Sequence, residues 1–218
     1  MTLIDLSHVI EHGMQTYPGL PAPVIGDFLT RTASRERYQG QAEFHIGRIE
    51  MIANTGTYLD APSHRFAEGA DIAGLALEEI ANLPGLLVSI AEGERSIDVA
   101  MVEGLDVRGK AVLLHTGWSR HWRTPAYGAP HHPFVTARAA EWLAAEGAAV
   151  VGIDSVNIDD MADPARPAHT ALLRQGVPIV EHLTNLEQLG AASFRFFAVP
   201  PPVRGMGTFA VRAFAVTG

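Results

Sequence analysis

The chain has 218 residues, 47% of them hydrophobic, enough to bury one sizeable core, and its length predicts a single domain over residues 1–218. A formal net charge of −8 without a lysine or arginine cluster argues against nucleic acid and anionic membrane as partners and favours a small molecule. Zero cysteines exclude disulfides, thiolate zinc sites and cysteine nucleophiles, which leaves any metal to histidine, carboxylate and water.

The N-terminus lacks a basic region followed by an apolar run, and no later apolar stretch reaches membrane-spanning length, so the expected location is cytoplasmic. Residues 3–8 read as a short strand ending in polar residues, and residues 17–21 as a turn rich in proline and glycine. His8 and Tyr17 are read first as wall residues or satisfied polar groups. Over residues 44–53 the apolar positions alternate but change parity near Gly47, which predicts a bulged strand. His45 lies on that strand, about 30 Å from position 54 if the run is extended, too far to serve as a ligand beside residues 54–64.

Residues 54–64 concentrate polar chemistry between punctuating residues. Asn54, Tyr58, Asp60 and His64 stand at even offsets and leave on one face wherever the backbone is extended. Gly56 permits a left-handed backbone, and Pro62 fixes its own φ while pushing Ala61 out of the helical region. A segment bent in this way can aim several side chains at one point.

Farther along, residues 65–72 read as a loop, 75–81 as a short helix, 86–90 as a buried strand and 97–103 as weakly helical. Residues 112–118 form an apolar strand running into a glycine turn. Trp118, Trp122 and Tyr127 either line a substrate cavity or belong to core or interface. His121, His131 and His132, in a loop rich in proline and glycine, are expected to be solvated. Thr136 caps the clearest helix, which stops at Gly147, and residues 148–154 come next as a central strand buried on both faces, an α/β pattern. Asp154, Asn157, Asp159 and Asp160 fit a calcium loop poorly, lacking the turn glycine and the closing glutamate. A short helix then carries His169 and ends at Gly176, and a strand from Val177 presents Glu181 at its far end. His182 should point to the opposite face. Strands at 194–199 and 208–216 close the chain, and the loop containing Gly205 and Gly207 is placed to rim a pocket.

The stretch from Asn54 to His64 resembles the signature His-x-Gly-Thr-His-x-Asp-x-Pro-x-His of the cyclase family of metal-dependent hydrolases, the group that includes bacterial kynurenine formamidases. The chain keeps Gly56, Thr57, Asp60, Pro62 and His64 and has Asn54 and Tyr58 in place of two histidines. Residues 5–8, the Tyr-Pro-Gly at 17–19, the Thr-Gly-Trp at 116–118, His169 and the stretch from Glu181 are similar to further family elements. The resemblance implies a swivelling β/α/β fold with a mixed barrel-like sheet and flanking helices, usually a homodimer or homotetramer. It implies Asp60, His169 and Glu181 as metal ligands and His64 as proton carrier, with a pocket to which Tyr17 and Trp118 contribute.

Losing two imidazoles shifts the donor set toward oxygen, so a divalent metal, Mn or Zn, or no metal at all, is compatible with the residues. Three functions are open to such a site. The first is a metal-dependent hydrolase of amides, cyclic amides or lactones with His64 as acid/base. The second is a metal-free acid/base enzyme using His64 with Asp60 or Glu181, while Tyr58 and Asn54 donate to a developing oxyanion. The third is a binding protein that kept the pocket and lost the reaction.

Overall fold

The computed structural model describes residues 1–218. Strand β1 (Thr2–Asp5) opens the chain, and β2 (Val24–Leu29), helix α1 (Arg31–Arg37) and β3 (Ile46–Glu50) make an arm. After β4 (Tyr58–Asp60) come α2 (Leu77–Ile80), β5 (Leu83–Ser89), β6 (Ser96–Ile97), β7 (Ala111–His115), β8 (Phe134–Val135), α3 (Ala137–Ala145) and β9 (Val150–Ile153). The last third holds α4 (Pro167–Arg174), β10 (Ile179–Glu181), β11 (Phe194–Phe197), β12 (Thr208–Ala210) and β13 (Phe214–Thr217).

Nine strands form one curled, half-barrel sheet in the order β1-β13-β11-β5-β7-β9-β10-β4-β12. Its centre, β5-β7-β9-β10, is parallel, and both wings are antiparallel. Parallel strands need both faces covered, which is why β9 is buried throughout and why residues 111–114 of β7 are too. Alternate side chains of β7 serve opposite layers. Leu113 packs with Leu59, Val180 and Phe196 on one face, while Val112 and Leu114 pack with Leu143 and Leu172 on the other.

Helices α3 and α4 build that second layer. Thr136 caps α3 by accepting from the Ala139 amide at 3.3 Å, and Gly147 ends it in the left-handed region, as the sequence predicts. Leu143 of α3 and Leu172 of α4 are fully buried in the shared cluster, so truncating either to alanine costs about 2–5 kcal/mol. The packing fixes α4, and α4 carries His169.

Two expected elements differ. Residues 97–103 are not helical; Ser96–Ile97 pairs with β8, and only the single turn Val99–Met101, capped by Asp98, winds afterwards. The strand expected over 44–53 shortens to β3, and its partner β2 lies in the stretch after the early turn. The irregularity expected at Gly47 is real but sits on the other strand, where Phe28 is the extra residue opposite Ile46 and Gly47. Neither strand of this hairpin joins the main sheet. Its apolar residues consequently face outward, with Phe28 72% and Ile49 50% exposed.

Candidate functional site

The register of three short strands assembles the site. Strand β4 lies between β10 and β12, and its pairing sets Tyr58 opposite Glu181 and Asp60 opposite Thr208. Directly opposed residues share a face of the sheet, so each pair meets. Tyr58 donates to Glu181 Oε2 at 2.6 Å, and the Thr208 hydroxyl donates to Asp60 Oδ1. Pro62 then bends the chain into the turn Pro62–His64, which returns His64 Nε2 to 3.8 Å from Asp60 Oδ1. Gly207 must be a glycine, because a Cβ there would lie 2.6 Å from the backbone of His64.

His169 arrives from α4, held by an aspartate beyond β9. The Asp159 carboxylate accepts the amides of Ala168 and His169 at the start of that helix and also holds His169 Nδ1 at 2.6 Å. Nε2 is thereby aimed at the carboxylates, 3.7 Å from Asp60 Oδ2 and 3.8 Å from Glu181 Oε1. These separations are too long for hydrogen bonds. They resemble the roughly 3.4 Å expected between two donors that each stand about 2.1 Å from one ion. Asp60 Oδ2 is buried and has no hydrogen-bond partner. An orphaned carboxylate oxygen facing an oriented imidazole fits a cation, and the histidine anchored through its far nitrogen is the usual support of a ligand. Asp60, His64 and His169 also offer donor atoms that all lie within 4.8 Å of one another, so Asp60 and His169 belong to either choice of third ligand.

The electrostatics arise from burial. Burial pushes the Glu181 carboxyl up, helped by Asp60 and opposed by His169, to about 7. Burial works against a charge on His169, but Asp159, Asp60 and Glu181 together outweigh it and raise its pKa to about 10. Asp60 is desolvated as well, yet the two imidazoles and Thr208 hold it below the ordinary aspartate value.

Hydrogen-bond arithmetic fixes two tautomers. The single proton of Thr208 goes to Asp60, so His64 Nδ1, 2.8 Å from the Thr208 oxygen, must be the donor there, leaving Nε2 with its lone pair. Tyr58 likewise spends its proton on Glu181, so His182 Nε2, at 3.2 Å, donates to the Tyr58 oxygen. His182 Nδ1 then accepts from Tyr127 at 2.8 Å. Burial lowers His182 to about 3, in keeping with this neutral ring.

A cavity of about 390 Å³ opens over this floor, lined by ten residues that include Tyr17, Asn54, Tyr58, His64, His169 and Glu181. Trp118 is not among them. It packs on Tyr127 and Val156 and donates its indole N–H to the Tyr127 carbonyl at 2.9 Å, a core position rather than a cavity wall. His8 is not among the lining residues either; it stacks on Trp122 with ring centroids 3.9 Å apart, and its Nε2 is buried without a hydrogen-bond partner. His45 pairs with Asp27 on the arm, away from the site.

Two histidine expectations need correction. His132 is fully buried, with Nδ1 3.0 Å from the Pro133 carbonyl, because residues 132–135 tuck under the acidic loop rather than into solvent. His182 does not point away from Tyr58, since its φ of +59° breaks strand alternation one residue after β10. Thr208 and the helix-capping role of Asp159 went unseen in the sequence. Thr208 carries no local signal, being defined by its cross-strand partner. Asp159 could have been found from the helix start at Pro167, which needs a capping acceptor.

The model of the family described as "Putative cyclase" matches residues 4–160. Kynurenine formamidase from Geobacillus thermodenitrificans (strain NG80-2) is 27% identical over 212 residues, covering 96% of this chain and 95% of the relative. The solved structure of a potential metal-dependent hydrolase with cyclase activity superposes with a TM-score of 0.80 at 26% identity, over 98% of this chain and 96% of the other. An isatin hydrolase bound to the product analogue thioisatinate shares the fold, with a TM-score of 0.84 at 20% identity over 99% and 92% of the two chains. With the family match spanning more than half its length, the chain belongs to the cyclase family of hydrolases.

Proposed function

We propose that the chain hydrolyses the acyl bond of a small carbonyl compound, the carbon–nitrogen bond of a formamide or cyclic amide or the carbon–oxygen bond of a related lactone. The observation that carries this reading is the convergence of Asp60, His169 and Glu181 around the unpartnered Asp60 Oδ2, with His64 beside them on the cavity floor. The formamidase relative supports the choice of an amide. Asp60, His169 and Glu181 are the residues that would hold a divalent ion, Mn or Zn. When bound, such an ion would acidify a water and polarise the substrate carbonyl.

The chain's own residues do the rest. His64 Nε2 takes a proton from the attacking water as its oxygen bonds to the carbonyl carbon, and returns that proton to the leaving nitrogen as the C–N bond breaks. Thr208 holds the ring in the tautomer that can do so. Asn54 lines the cavity beside the substrate carbonyl and Tyr17 closes the wall, while Tyr58, expected as an oxyanion donor, spends its proton on Glu181 and so positions that carboxylate instead. Elemental analysis of the purified protein, with hydrolysis of an N-formyl arylamine followed by product absorbance, tests the reading. Activity lost on chelation and restored by Mn or Zn is expected. His64→Ala should keep the metal and lose turnover.

One observation favours a metal-free variant of the same reaction. A charged His169 offsets part of the negative charge of the carboxylates around it, and a phenol and an amide stand where the family has imidazoles. Turnover that resists chelation yet disappears in His64→Ala selects it. We also propose a homodimer or homotetramer joined through the apolar arm, since exposed residues such as Phe28 and Ile49 suit a contact between copies.

A further inference from the structure

The cavity has a rim of opposite sign to its floor. Two of its ten lining residues are arginines, Arg65 and Arg166, although acidic residues outnumber lysine plus arginine by 24 to 16 in the chain. Neither arginine pairs with a carboxylate. Arg65 Nε donates to the Thr170 hydroxyl at 3.2 Å and Nη2 reaches the Ala165 carbonyl at 3.4 Å, both neutral acceptors. Arg166 Nη1 donates to the Asp160 carbonyl at 3.1 Å. Each guanidinium is thus tied along one edge to the same loop at the start of α4, and the remaining N–H groups have no protein partner. Of the acids just before Arg166, Asp163 accepts the Ala165 amide at 2.9 Å and Asp160 is engaged by Arg95 at 2.7 Å.

The backbone points the same way. Arg166 has φ +50° and ψ +59°, a left-handed conformation that a long L side chain rarely adopts, immediately before the proline that starts α4. A glycine or asparagine would sit there with less strain, so the position carries an arginine at a conformational cost. Strain of this kind, where it borders a cavity, is a pointer to a ligand-contacting role.

We propose that Arg65 and Arg166 form an anion subsite that binds a carboxylate of the substrate away from the scissile bond, so that the preferred substrate is an amide bearing a free carboxylate. This deepens the amide-hydrolase reading and rests on it for the identity of the bond cleaved. A carboxylate suits the pair better than a phosphate dianion, because the Glu181 carboxyl lines the same cavity and Asp60 is buried beneath it. Guanidinium edges also match the spacing of two carboxylate oxygens.

The test compares an N-formyl arylamine carrying a carboxylate with its methyl ester, in the wild type, Arg65→Gln, Arg166→Gln and the double variant. The wild type is expected to prefer the acid by about 10- to 100-fold in kcat/KM, mostly through KM, and the double variant to treat the two alike with kcat nearly unchanged. Equal use of acid and ester by the wild type, or an equal loss on both substrates in the variants, overturns the proposal. Arg166→Gly guards against misfolding. It is free at φ +50°, so its Tm should match or exceed that of the wild type while its preference for the acid falls. If the wild type cleaves neither compound, the amide-hydrolase reading fails on its own, and calorimetric binding of 2-aminobenzoate decides the subsite. Binding weakened at least tenfold in the double variant supports it, and unchanged binding rejects it.

Discussion

On the cavity floor Asp60, Asp159 and Glu181 are fully buried and His169 is 6% exposed, while on the β2–β3 arm Phe28 is 72% exposed. The usual distribution of side chains is reversed in both places, for different reasons. Buried carboxylates are tolerated only where every charge is answered, and here Asp60 Oδ2 is left for something outside the chain to answer. Exposed apolar residues cost the fold little, but they gather where another surface will cover them. On the reading proposed above, a ligand would complete the floor and a second copy of the chain would cover the arm. A change in the first should alter chemistry with little effect on assembly, and a change in the second should do the reverse.

The sharpest way to break that contrast is at the floor. Asp60→Asn should abolish turnover and leave the purified protein without a stoichiometric divalent ion, measured by elemental analysis. His64→Ala should lower kcat by about 10²- to 10⁴-fold with the metal content unchanged, and a parallel loss of both would mean that His64 is a ligand. Asp159→Asn removes the anchor of His169 and should weaken metal affinity by about 10- to 100-fold in a competition titration.

The pH dependence of the ion-free protein comes next in size. Glu181 is raised from 4.5 to about 7, so the folded state loses stability relative to the unfolded chain as pH rises across that window. His169 is raised from 6.5 to about 10, so its contribution is complete below 6.5 and disappears as pH climbs through 10. Both slopes have the same sign. Below about pH 6.5 the buried, neutral His8 and His182 act in the opposite sense. Tm in the presence of chelator should therefore fall from about pH 6.5 to about pH 10, and added Mn or Zn should recover most at the alkaline end, where His169 gives up its proton to bind. A chelated protein whose Tm rises over that range contradicts the assigned electrostatics. At the arm the expected catalytic effect is smallest. Phe28→Glu should shift the mass measured by light scattering toward the monomer and leave kcat within about twofold.

Much of the scaffold was legible because its signals are local. The Thr136 cap, the stop at Gly147 and the apolar run after it define α3 and β9 without reference to any distant residue. The floor was legible for another reason: the two polar stretches resemble family signatures, and β4 pairing with β10 brings them together. What stayed hidden depends on register. Thr208 matters because it faces Asp60 across a ladder, and His182 matters because one residue departs from strand geometry. On the arm the alternation over 44–53 foretold a strand and a bulge, but its partner β2, which carries the extra residue, left no such signal. Trp118 was a fair candidate wall by residue type, and only packing shows it to be core.

Strand β12 is hydrogen-bonded to β4 along one side and forms the outer edge of the large sheet. Edge strands open more readily than central ones, so the hydroxyl that sets the His64 tautomer sits on the part of the floor most prone to fraying. Amide hydrogen exchange at Thr208–Ala210 should accordingly outpace that at Val150–Ile153. A bound substrate should slow it, turning the outermost three residues of the sheet into a latch whose motion can be timed.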